Sequence, residues 1–179
     1  MDVERTVANV RMKASENDFY SGCAQAVLGA LQDELGLGNA ASFRSATILS
    51  GGVARRGETC GALIGALMGL ALACGRDTME DTPSYSRAVD AAQAVVDSFK
   101  AQLQQTFGFK EPLSSTLCRD IQARVFGRSY YLADPDERQQ FLDNGGHDST
   151  KCPLVCAVAA EVAVRNILAL TPPTRGADS

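Results

Sequence analysis

The stretch GETCGALIGALMGLALACG, residues 57–75, decides how the rest of the chain is read. A cysteine opens a long uncharged segment in which Gly61, Gly65 and Gly69 recur every four residues. From Cys60 to Gly75 the uncharged run covers 16 residues, short of the roughly 20 that cross a hydrocarbon core. Four-residue spacing puts the three glycines on one stripe of a helix, where a neighbour can approach the backbone closely. The segment therefore reads as a buried, glycine-striped central helix, and no membrane insertion is expected.

Working outward, the apolar residues keep helical spacing almost everywhere. Val3, Val7 and Val10 mark one face of a first helix over residues 3–15. Ala24, Val27, Leu28, Leu31 and Leu35 mark a second, ended by the glycines of GLGN, and a shorter helix runs over residues 40–49 until Gly51 and Gly52. Beyond the central helix, Val89, Ala92, Val96, Phe99 and Leu103 predict a long helix over 83–106, with Thr82 as cap and Pro83 in its first turn. A short helix follows, capped by Ser115 or Thr116 and stopped by Gly127. A polar, turn-rich excursion then carries a brief helix near 135–142. The last helix, CPLVCAVAAEVAVRNILAL, has proline in its first turn and halts before Pro172 and Pro173, leaving residues 172–179 as a frayed tail. No run alternates long enough to make a strand. The expectation is one all-α domain over residues 1–179, a compact bundle of about six to eight helices.

Composition narrows the function. The net charge of -4 is spread without long runs, and Lys and Arg are scattered among few aromatic residues, so no nucleic-acid partner is expected. The first residues lack the apolar heart of a secretion signal, which predicts a cytoplasmic address. There, six cysteines are not expected to form structural disulfides and ask for a metal, redox or packing explanation.

Cys23, Cys60, Cys118 and Cys152 each fall at or near a predicted first helical turn. Unpaired N–H groups and the positive end of the helix dipole there favour thiolate, lower the thiol pKa and suit an anionic metal–thiolate centre. Cys74, at the far end of the glycine helix, is assigned to packing. Cys156, one turn after Cys152, fits an additional ligand, a resolving thiol or a core residue equally. His147, the only histidine, sits in the loop before Cys152 and is a secondary candidate as ligand or proton carrier. The Arg55-Arg56 pair precedes Cys60 and could hold an anion or simply be solvated. CxxC pairs are absent, GGVARRG lacks the Lys-Ser/Thr of a phosphate loop, and no Ser-His-Asp arrangement can be picked out.

With Cys23 in SGCAQAVL, the motif Cys60-Gly61-Ala62-Leu63-Ile64-Gly65, Cys118 in LCRDI and Cys152 in KCPLV, the chain resembles the C_GCAxxG_C_C family of redox-active proteins over residues 15–168. Similar domains occur in split-Soret cytochromes, beside an iron–sulfur centre in a dimeric protein. The resemblance implies a cluster or other metal held by those four cysteines, a homodimer and an unidentified redox partner protein. No CxxCH is present, so the haem function does not carry over. The leading expectation is a small iron–sulfur or metal-binding protein for electron transfer or redox sensing, not a substrate-converting enzyme. A thiol–disulfide oxidoreductase attacking through Cys60 or Cys23, a structural zinc module, and a bundle without cofactor stand as alternatives.

Overall fold

The computed structural model describes residues 2–170. Among them are eight α-helices: α1 (Val3–Asp18), α2 (Cys23–Leu35), α3 (Ala40–Ser45), α4 (Gly61–Cys74), α5 (Thr82–Phe107), α6 (Cys118–Phe126), α7 (Pro135–Asp143) and α8 (Cys152–Leu170). A single 3-10 turn, Thr47–Leu49, follows α3. The all-α expectation holds, at the upper end of the predicted helix number. The predicted helix over 40–49 is instead α3 plus the 3-10 turn, because Ala46 takes the C-cap position between them. Asp81, not Thr82, caps α5, its carboxylate accepting from the Ser84 N–H. Residues 172–179, read as a frayed tail, lie outside the described residues.

Periodicity explains the layers. Val7, Val10 and Ala14 of α1 face α8 and α2, while Val27 and Leu31 of α2 face α4 and α8. α8 contributes Val155, Val158, Ala159, Val162 and Val164 to the same core, and α5 closes it with Val95, Phe99 and Leu103. α8 is long and apolar enough to match a membrane span, and here it is walled by α1, α2, α4 and α5. The small side chains of α8, mostly Ala and Val, let four helices approach it. Glu161 on α8 accepts from Arg11 of α1 and from Arg165, which also grips Glu4 at 2.8 Å, tying the outer edges of α1 and α8.

The glycine stripe of α4 faces α2, as its spacing predicts. A Cβ added at Gly61 would stand 2.5 Å from Cys23 Sγ. One at Gly65 would strike the Ala24 carbonyl, and one at Gly69 the Leu31 side chain. The stripe therefore brings the backbone of α4 against α2 and sets the first turns of both helices together.

Candidate functional site

Three backbone hydrogen bonds assemble the site. Thr59 and Leu117 form an isolated antiparallel bridge, flanked by the Cys60 N–H donating to Thr116 O at 2.9 Å and the Cys118 N–H donating to Glu58 O at 2.6 Å. The bridge sets the starts of α4 and α6 side by side, and so sets Cys60 beside Cys118. Arg119 N–H adds a bond to Gly57 O at 3.2 Å, and its guanidinium meets Glu58 at 3.1 Å. No sequence periodicity reports such a bridge, because it is two residues long.

The loop before α4 completes the wall. Gly51, Gly52, Val53, Ala54 and Arg55 all have positive φ, between 51° and 68°, so the chain makes one left-handed turn. Gly52 sits where a Cβ would come within 2.5 Å of the Glu58 backbone and 2.7 Å of Cys118 Cβ. The Gly51 N–H and the Ser50 hydroxyl donate to Cys23 Sγ. Cys60 Sγ accepts from the Ala62 and Leu63 N–H groups, and Gln122 Nε2 donates to Cys118 Sγ at 3.5 Å. The Oε1 of Gln122 accepts from the Tyr130 N–H at 2.9 Å, which locks the amide toward the sulfur.

These sulfurs face one cavity of about 610 Å³. Cys23, Cys60, Cys118 and Cys152 all line it, and so does Cys156. Cys74 does not; its thiol donates to Leu70 O within α4 at 3.3 Å. The structure thus brings together the four first-turn cysteines and groups Cys156 with them. Arg55 reaches the cavity, whereas Arg56 turns to the Tyr131 hydroxyl.

The thiol chemistry differs from the expectation drawn from helix position. Burial pushes the Cys23 thiol up to about 12, with Cys60 and Asp18 adding to the rise against the bonds from Gly51 and Ser50. Cys60 is raised too, chiefly by burial, which outweighs its two N–H donors. Burial holds Cys118, Cys152 and Cys156 well above the ordinary thiol range, and each opposes charge on its neighbours. The expected low-pKa nucleophile is therefore not found in the protein as it stands: desolvation in a walled cavity exceeds what a helix end returns. A compensating cation would favour thiolates here.

The donor set matches a metal–thiolate group in chemistry: five thiols line one cavity, with sulfurs that accept backbone N–H bonds. Among the described residues, no three His, Cys, Asp or Glu side chains stand close enough together to hold a single metal ion. The sulfurs are spread around the cavity instead of converging on one point.

His147, distant in sequence, meets Asp18 and Ser21 at the side of the same cavity. His147 Nδ1 lies 3.0 Å from Asp18 Oδ2, and Nε2 lies 3.0 Å from Ser21 Oγ. Coordination of a metal by His147, expected as a secondary role, would require one of those bonds to break. Sequence reading missed this array because 129 residues separate Asp18 from His147 and neither lies in a motif.

The family model described as "Putative redox-active protein (C_GCAxxG_C_C)" matches residues 21–166, and the chain belongs to this family. No curated protein and no solved structure matches the chain.

Proposed function

From membership of that redox family, we propose that Cys23, Cys60, Cys118 and Cys152 hold a polynuclear iron–sulfur cluster and that the protein transfers electrons to, or senses the redox state of, a partner in the cytoplasm. The observation carrying this reading is that cysteines from four separate helix starts line one cavity. A bound cluster supplies one-electron oxidation and reduction. The protein's own residues provide the sulfurs and offer N–H donors at Gly51, Ala62 and Leu63 that stabilise charge on sulfur. Spread sulfurs suit a multi-atom centre better than one zinc ion, whose ligands all lie about 2.3 Å from a single point. Raised thiols weigh against thiol–disulfide exchange, which needs an accessible thiolate.

The reading is tested by single serine substitutions in protein reconstituted anaerobically with iron and sulfide. Cys23→Ser, Cys60→Ser, Cys118→Ser and Cys152→Ser should each lose most bound iron, while Cys74→Ser keeps it. Equal iron in Cys60→Ser and Cys74→Ser would sink the assignment. Cys156→Ser decides whether the fifth cavity thiol is a ligand.

A further inference from the structure

The Asp18, His147 and Ser21 array carries a second chemistry. A carboxylate only accepts hydrogen bonds, so His147 Nδ1 carries the proton donated to Asp18 Oδ2, and Nε2 is left to accept from the Ser21 hydroxyl. Exposure grades along the array: the Asp18 side chain is 2% exposed, that of His147 is 21% exposed, and Ser21 is exposed. That order is what a nucleophilic hydroxyl needs, with the orienting carboxylate inside, the base between, and the hydroxyl open to a substrate.

The array is built. The Phe141 ring meets the His147 ring edge to face at a centroid distance of 5.7 Å and fixes its plane. Ser21 N–H donates to Asp18 O at 2.8 Å, folding the end of α1 back so that hydroxyl and carboxylate flank one imidazole. Ser21 takes φ of 66°, a left-handed conformation unusual for a residue other than glycine, and Gly22 at 101° turns the chain into α2.

We propose that Ser21, His147 and Asp18 form a nucleophilic triad that cleaves activated carboxylic esters or thioesters bearing a short apolar acyl group. Ser21 Oγ bonds to the acyl carbon while its proton passes to His147 Nε2. The bond from acyl carbon to the leaving oxygen or sulfur then breaks, and the leaving group takes that proton. Water repeats the sequence on the acyl-serine and releases the carboxylic acid. Ile48 and Leu142, exposed at the cavity rim, offer apolar contact to the acyl chain, and Arg55 and Arg138 face the acid produced. The proposal does not require the cysteines to bind metal, but the triad opens on the same cavity, so the acyl group is accommodated there in the metal-free protein.

The test uses the full wild-type chain and an alkyl fluorophosphonate, which phosphonylates serines activated by a base and releases fluoride. Peptide mapping is expected to find one adduct, on Ser21, and p-nitrophenyl butyrate hydrolysis is expected to fall as the adduct forms. His147→Gln should slow adduct formation at least 100-fold, and Asp18→Asn, which misorients the imidazole, should slow it comparably. The wild-type adduct needs no variant to fold. An unlabelled Ser21, an adduct on another serine only, or equal labelling of folded His147→Gln overturns the proposal.

Discussion

Val53, Ala54 and Arg55 continue a left-handed turn that Gly51 and Gly52 begin, with φ of 53°, 51° and 65°. An L-residue there costs roughly 1–2 kcal/mol, most for a β-branched one. The turn persists because its backbone is bound from both sides: Ala54 N–H to Ile48 O at 2.8 Å, Gly57 N–H to Gly51 O at 3.1 Å, and Glu58 N–H to Gly52 O at 2.9 Å. Val53→Gly should therefore stabilise the protein by a few tenths to about 1 kcal/mol, after the added chain entropy of glycine, measured as a shift in the urea midpoint. A loss of stability would mean that Val53 makes packing contacts worth more than its strain. At Gly52 the sign reverses, since a methyl group meets the Glu58 backbone and Cys118; Gly52→Ala should cost about 2–4 kcal/mol and disturb the cavity wall. Single residues were partly legible. Cys60 and its first-turn counterparts could be placed by helix position, but their ionisation could not, because it depends on walls contributed by segments far away. Asp18 gave no signal, being one acid among many at the end of a surface helix.

At the scale of elements, apolar spacing located α1, α2, α5 and α8 to within a few residues, because each buries an apolar face, whereas α6 and α7 were read from caps and turn residues. Glycine spacing alone predicted that a neighbour approaches α4 closely, and the structure identifies that neighbour as α2. Gly65→Ala should cost about 1–3 kcal/mol or more, since its Cβ would meet a backbone carbonyl of α2 that cannot rotate away. A calorimetric melt checks this, and an unchanged melting temperature would mean that the two helices are not in the contact described. What spacing could not show was the Thr59 and Leu117 bridge that aligns α4 with α6. Short bridges have no period, and they depend on where the chain returns after α5. The apolar content of α8 suits a bundle centre and a membrane span alike; in the structure four helices pack against it.

At the scale of the molecule, a small all-α core encloses a thiol-lined cavity whose protonated state matches the fold. The unfolded thiol titrates near about 8.5, whereas folded Cys23 holds its proton to about 12 and four neighbours are also raised. Above pH 8.5 the unfolded chain binds fewer protons than the folded one, so stability falls as pH rises. The loss per retained proton is about 1.4 kcal/mol per pH unit, continuing toward pH 12 for Cys23. Metal-free protein should accordingly unfold at alkaline pH, and Cys23→Ala should flatten the slope of stability against pH between 9 and 11. An unchanged slope would place the Cys23 thiol in contact with solvent.

If this cavity carries a cluster on four cysteines, the visible spectrum of the wild-type protein purified without oxygen reports it. The expected result is a brown protein with broad sulfur-to-iron charge-transfer absorption that bleaches on reduction, with iron and acid-labile sulfide in comparable amounts. A colourless protein that stays free of iron and sulfide after anaerobic reconstitution would contradict it.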